Sequence, residues 1–142
     1  MEFLRPSQPR ESLQVLAAVN RQTARYGLAL TQEEMTALAE SRVRSLRDTG
    51  RVELGKGILP RLIEVFCDSP YLHQADYAGT LEALQTLFYH WKNEAGDLTP
   101  DEDVLRFLRR AFDRAGGSTD CLEGFSLGEL AKRMREEKRD ED

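Results

Sequence analysis

The strongest constraint on the fold lies between residues 74 and 95, where large apolar side chains recur at helical spacing. The recurring residues follow one another at steps of 4, 3, 4 and 3: Tyr77, Leu81, Leu84, Phe88 and Trp91. This spacing puts all of them on one face of a long helix, which Gly96 ends. A helix of this length with its aromatic residues on the apolar face is expected to be the central element of the fold.

The rest of the chain shows the same period of three to four residues, and sustained alternation is nearly absent. Further helices are predicted at about 10–26, from Thr31 to just before Gly50, at about 58–68, from Thr99 to just before Gly116, and from Ser126 to Met134. The segment 51–56 is predicted to be a connector. The sequence therefore predicts a single all-α domain over 1–142, an irregular bundle of about six helices with a frayed, charged tail from about residue 136.

Local signals define where several of these helices begin. Thr31 with Glu34 forms a capping box, and Leu30 with Met35 adds a hydrophobic staple. Thr99 is expected to cap the fifth helix, with Pro100 at its first position. Ser126 is expected to cap the sixth in the same way.

The helical period also predicts which residues face the core. These are Leu13, Leu16, Ala17, Asn20 and Ala24 in the first helix; Met35, Leu38, Ala39, Val43 and Leu46 in the second; Ile63, Phe66 and Cys67 in the third; and Val104, Leu105, Leu108, Ala111 and Phe112 in the fifth.

Charge and composition narrow the compartment and the partners. The chain has 20 basic and 25 acidic residues, a net charge of −5, so no overall positive field favours nucleic acid or an anionic membrane. No apolar run reaches the roughly 18 residues of a membrane span. The start, Met1 to Pro6, lacks the features of a secretory signal, and Cys67 and Cys121 belong to no metal-binding or disulfide motif. A cytoplasmic protein with two reduced thiols is expected.

One local stretch is basic: Arg42, Arg44, Arg47, Arg51, Lys56 and Arg61. It is compatible with a surface for DNA or an acidic partner, but a solvated helix face is the favoured interpretation, because arginines near a helix C-terminus also interact with the helix dipole. The Gly55 to Gly57 segment lacks the glycine frame and the Ser or Thr of a phosphate-binding loop.

Two histidines offer the one arrangement suited to metal or acid–base chemistry. His73 precedes Asp76 by three residues and His90 precedes Glu94 by four, so each imidazole has a carboxylate within helical reach. The two histidines are 17 residues apart, about 25 Å along a continuous helix, which places them too far apart for one ion unless His73 folds back from the start of the helix. Paired surface charges are therefore the favoured interpretation, and an enzyme or metal-binding protein using these four residues is the alternative.

A second candidate surface lies beside the apolar face of the long helix. Tyr71 and Tyr89 are expected to be partly exposed, and with Lys92, Asn93 and Glu94 they combine aromatic area with hydrogen-bonding groups, as interface hot spots do. The favoured interpretation is that both rings pack on the core and only their hydroxyls reach water.

From Gly57 onward the chain resembles a small family of uncharacterised proteins from Gram-positive anaerobic bacteria. The resemblance rests on Phe88-Tyr89 with Lys92 to Glu94, and on Cys121 to Gly124. It implies a bacterial cytosolic protein and brings no catalytic motif, cofactor or known activity.

Taken together, the sequence favours a non-catalytic module without a cofactor. Its helix signals are structural and its conspicuous polar residues form no reaction centre. The expected partner is another protein, neither a membrane nor nucleic acid, and the oligomeric state is left open.

Overall fold

The computed structural model of the protein describes residues 9–51, 53, 57–96, 99–123, 132 and 136. Within them the chain forms helices and no strand, which confirms the all-α prediction. The helices are α1 (Pro9–Thr23), α2 (Gln32–Thr49), α3 (Leu59–Phe66), α4 (Tyr77–Ala95), α5 (Asp101–Arg114) and α6 (Thr119–Glu123), with single 3₁₀ turns at Ala24–Tyr26 and Gln74–Asp76.

Helix α4 is the central element, as predicted. It packs against α2, α3, α5 and α6, and its most extensive contact is with α2, while α1 lies against α2 and α3. All five predicted apolar residues of α4 are buried in one continuous core. None of the helices in the described ranges combines the length and the apolarity that a membrane crossing needs.

The start of α2 forms as the local sequence predicts. The Thr31 hydroxyl accepts a hydrogen bond from the Glu34 amide at 3.1 Å, and the Glu34 carboxylate accepts one from the Thr31 amide at 2.8 Å. Two amides that the helix itself leaves without acceptors are thereby satisfied. Leu30 and Met35 are both buried, and α2 ends at Gly50 in the left-handed conformation, with φ at 68°.

The start of α5 differs from the prediction by one residue. Pro100, not Thr99, occupies the cap position, and the helix begins at Asp101. The Thr99 hydroxyl instead donates back to the carbonyl of Ala95, at 3.2 Å, and so satisfies a carbonyl at the end of α4. Thr99 thus contributes to the end of α4. The start of α5 has no side-chain cap, but its first turn carries three carboxylates, which interact favourably with the positive end of the helix dipole: Asp101, Glu102 and Asp103.

Two predicted core residues are exposed. Ala24 lies in the 3₁₀ turn that follows α1 and is exposed. A 3₁₀ turn has fewer residues per turn than an α-helix, so the period of α1 does not continue into it, and Thr23 is the buried residue at this end of α1. Val43 on α2 is 44 % exposed, whereas its neighbour Arg42 is 5 % exposed. Successive residues of a helix differ by about 100° around its axis, and the buried arc of α2 runs from Ser41 through Arg42 to Ala39. Val43 lies about 100° beyond Arg42, outside this arc.

The C-terminal prediction falls almost wholly outside the described residues. The predicted helix from Ser126 to Met134 and the frayed tail from about residue 136 are represented there by Lys132 and Glu136, both helical. The structure adds a short helix that the sequence analysis missed, α6, which buries Leu122. Its five residues are too few to show a hydrophobic period.

Candidate protein-binding groove and the buried polar cluster behind it

Two of the five residues of the surface predicted around Tyr89 are buried. Tyr89 is 1 % exposed and Lys92 is 7 % exposed, so neither is accessible, and the ring of Tyr89 packs on the core. Tyr71 is 42 % exposed, and Asn93 and Glu94 are exposed.

Tyr89 belongs instead to a buried polar cluster between α2, α4 and the connector after α2. Its hydroxyl donates to Glu53 Oε1 at 2.5 Å, and Arg42 Nε donates to the same oxygen at 2.7 Å. Burial is the main cause that raises the pKa of Tyr89, and the Glu53 carboxylate raises it further, so the phenol stays protonated and acts as a donor. The cluster therefore joins three segments of the chain through one carboxylate.

The connector approaches this cluster closely at Gly57. This residue has φ at +79°, and a Cβ atom there would lie 2.6 Å from Arg42 Nε and 3.0 Å from Glu53 Oε1. A glycine satisfies both the backbone angle and the contact. Gly57 thus allows the close packing of the connector against Arg42 and Glu53.

Lys92 serves the junction between α4 and α5. Its ammonium group donates to the backbone carbonyl of Thr99 and forms an ion pair with Asp101 Oδ1 at 3.3 Å. The side chain is covered by the protein, which takes it out of the predicted surface.

The histidines and their carboxylates lie at the surface. His73, Asp76, His90 and Glu94 are all exposed. His73 lies in extended backbone just before the 3₁₀ turn, whereas His90 lies within α4. Across the described ranges, no group of three or more His, Cys, Asp or Glu residues is arranged to hold a metal ion.

The cysteines are free thiols, as expected. Cys67 is half-buried and Cys121 is exposed. Burial raises the pKa of the Cys67 thiol, with the Asp68 carboxylate adding to the effect. A raised pKa reduces the thiolate fraction on which nucleophilic chemistry depends.

The basic stretch is divided by the fold. Arg42 is buried against Glu53, and Arg61 is bound by Glu102, with Nε to Oε1 at 2.7 Å. Arg44 and Arg47, in the second half of α2, remain exposed. Lys56 lies outside the described residues.

Those two arginines border an open groove of about 360 Å³ between α1 and α2. The surface that lines it is mostly apolar, and seven residues contribute to it: Leu13, Thr36, Ala39, Glu40, Val43, Arg44 and Arg47. Val43 is one of three large hydrophobic residues that are exposed in the described part of the chain. The helical period of the sequence does not indicate this groove, because it places Val43 in the core.

The signal in the sequence that could have indicated the groove is the pair Arg42 and Val43, because α2 can turn either residue toward the core. If Val43 faces the core, Arg44 and Arg47 lie close beside the apolar stripe. If Arg42 faces the core, it needs an acidic partner elsewhere in the chain, and Val43 is left at the surface. Glu53, in the connector, is that partner.

No curated protein and no solved structure matches this chain. Residues 15–140, which are most of the chain, match the sequence profile of DUF6323, a family of unknown function. The chain therefore belongs to the DUF6323 family.

Proposed function

We propose that this protein is a non-catalytic interaction module that binds a protein partner through the groove between α1 and α2. The observation that carries the proposal is Val43, a large apolar side chain that is 44 % exposed and lines a concave, largely apolar groove. Contact with a partner would remove this area from water, which is the main favourable contribution to protein association.

The polar residues support binding over catalysis. Arg42, Glu53 and Tyr89 bond to one another inside the protein, so their chemistry is used for packing. Lys92 is held in the same way by Thr99 and Asp101. The groove itself presents aliphatic side chains, one hydroxyl and three charged groups, a composition suited to recognition.

We also propose that the protein acts in the cytoplasm of a Gram-positive anaerobic bacterium. The free thiols of Cys67 and Cys121 suit a reducing compartment, and the resemblance of residues 57–124 to bacterial proteins supports the origin. Cell fractionation with an antibody against the chain tests the location, and recovery in a membrane or culture-medium fraction would contradict it.

The groove is tested by affinity capture from native cytosol with three forms of the full-length chain. The forms are wild type, Val43→Glu and Tyr71→Glu. Both variants place a carboxylate at an exposed hydrophobic position, one inside the groove and one outside it. We expect a partner that wild type and Tyr71→Glu retain equally and that Val43→Glu retains at least about tenfold less, as at an interface hot spot.

Circular dichroism melting curves check that both variants fold. Capture that is lost with Tyr71→Glu and kept with Val43→Glu would move the binding surface to the Tyr71 side, the surface that the sequence first suggested. Equal capture by all three forms, or recovery of no specific protein, would contradict the module.

A further inference from the structure

The exposed face of α2 carries a charge pattern that is complementary to itself when the helix is reversed. We propose that the groove receives a second copy of this chain, with the two α2 helices antiparallel across a two-fold axis. This inference rests on the proposed function, because it names the partner for the same groove.

The face is continuous and helical. Its residues lie within about 100° of one another around the axis of α2, and all of them are exposed: Glu33, Thr36, Glu40, Val43, Arg44 and Arg47. From Glu33 to Arg47 the face extends for about 21 Å along the helix. A second depression, lined by Gln32, Glu33 and Thr36, continues the groove toward the start of α2.

Along this face the charge changes sign once. Glu33 and Glu40 lie in the first part, and Arg44 and Arg47 lie in the second. In a parallel pair the acidic halves of the two α2 helices would lie side by side, and so would the basic halves, and like charges repel each other. In an antiparallel pair the acidic half of each copy meets the basic half of the other, and the two-fold axis makes every such contact twice.

The charges of this face are weakly engaged within the chain. Arg44 contacts Glu82 at 3.5 Å, with both side chains about half-exposed. Glu33, Glu40 and Arg47 form no ion pair within the described part of the chain. A bridge between exposed side chains contributes little, so Arg44 can exchange Glu82 for an intermolecular carboxylate at small cost.

Val43 supplies the apolar centre of the contact. It lies between the acidic and the basic halves, within about one helical turn of their midpoint, and Leu13 and Ala39 line the groove beside it. A two-fold axis near the midpoint brings the Val43 side chains of both copies into the same apolar region. The arrangement has an apolar core and a charged rim, as protein interfaces do.

The test is analytical ultracentrifugation of the full-length chain over a concentration series, with two charge variants. Arg44→Glu/Arg47→Glu makes the face entirely acidic, and Glu33→Arg/Glu40→Arg makes it entirely basic. We expect the wild type to form a concentration-dependent dimer, with each charge variant weakened at least about tenfold. We expect an equimolar mixture of the two variants to dimerise at least as well as the wild type, whatever the register of the helices.

Val43→Glu introduced into both charge variants is expected to abolish their association, because a carboxylate then occupies the apolar centre. Arg21→Glu, an equal charge change per residue at an exposed position on α1, is the control and leaves the wild-type dimer unchanged. Circular dichroism confirms that each variant remains helical.

A wild type that stays monomeric up to about 500 µM, where weak dimers with dissociation constants below the millimolar range would be detected, overturns the dimer. So does a dimer that is insensitive to Val43→Glu or to charge reversal. If a monomeric chain still captures a different protein through Val43, the proposed function stands and this inference fails. If Val43→Glu changes neither the capture of a partner nor dimerisation, the proposed function and this inference both fail.

Discussion

Arg42 lies on the buried side of α2, together with apolar residues such as Leu38 and Leu46. Its guanidinium is almost fully buried, and Glu53 provides the compensating charge. A buried cation without a partner is strongly destabilising, so the pairing with Glu53 favours the orientation of α2 in which Arg42 faces inward. In this orientation Val43 lies in the groove.

Two substitutions separate the roles within this cluster. Tyr89→Phe removes one hydrogen bond and leaves the ion pair, so we expect a loss of about 1 kcal/mol in the free energy of unfolding. Glu53→Ala leaves Arg42 buried without its carboxylate, so we expect a loss of about 3 kcal/mol. Urea unfolding curves measure both, and a larger loss for Tyr89→Phe than for Glu53→Ala would show that Arg42 does not depend on Glu53.

Tyr77 makes the fold sensitive to alkali. Burial raises the pKa of its phenol from 10 to about 12. Between these values the unfolded chain loses the proton while the folded chain keeps it, so the contribution is complete below pH 10 and decreases as the pH rises toward 12.

We expect the urea midpoint to fall between pH 9 and pH 11, and to fall less in Tyr77→Phe, which has no phenol to ionise. Tyr71→Phe, at an exposed position, serves as the control and is expected to follow the wild type. An identical alkaline dependence in Tyr77→Phe and wild type would show that this phenol does not contribute to it.

At the level of elements, side-chain amides connect the helices through the loop between α1 and α2. Asn20 on α1 bonds to both backbone groups of Leu30, donating to its carbonyl at 3.0 Å and accepting from its amide at 2.6 Å. Gln74 in the turn before α4 does the same for Ala29, at 3.0 and 2.7 Å. Each side-chain amide therefore satisfies the backbone N–H and C=O groups of one loop residue.

Asn20→Ala is expected to lower the free energy of unfolding by about 1 to 3 kcal/mol, because it leaves the polar backbone of the buried Leu30 without partners. Gln74→Ala is expected to cost less, since Ala29 is exposed and water can replace the lost bonds. Hydrogen exchange at the Leu30 amide reports the first effect directly. Unchanged protection of that amide in a folded Asn20→Ala protein would rule out the role of Asn20.

For the molecule as a whole, α4 supplies the centre of one core and α2 supplies an outer face. Leu84 on α4 is fully buried, whereas Val43 on α2 lies in the groove. Removing buried methyl groups costs transfer energy and leaves a cavity, but trimming an exposed side chain costs neither.

Leu84→Ala is therefore expected to reduce the free energy of unfolding by about 2 to 5 kcal/mol, and Val43→Ala is expected to change it by no more than about 0.5 kcal/mol. Chemical denaturation at a protein concentration where the chain is monomeric provides the comparison. A loss below about 0.5 kcal/mol for Leu84→Ala would place the stripe of α4 outside the core.

The sequence alone determined the class of fold and most helix positions. Each of these signals depends on residues close together in the chain: the capping box joins Thr31 to Glu34, and the stripe of α4 repeats within a turn. A capping box and an apolar stripe join residues of one helix, so they depend little on how the other helices pack. The start of α5 was predicted one residue too early, because the Thr99 hydroxyl can bond either to the start of α5 or to the end of α4. In the structure it donates to the Ala95 carbonyl at the end of α4.

The tertiary structure decided what the side chains at the surface and at the α2–α4 interface do. Arg42 meets Glu53 across 11 positions and Tyr89 meets it across 36, so no local pattern shows that these residues are satisfied by one another. Burying a charged group is strongly unfavourable unless an oppositely charged or hydrogen-bonding group lies beside it. Which group lies beside Arg42 is determined by how the helices and the connector pack. For this reason the sequence left Tyr89 between a partly exposed and a core-packed position and assigned Val43 to the core, and only the packed structure shows Tyr89 buried and Val43 exposed.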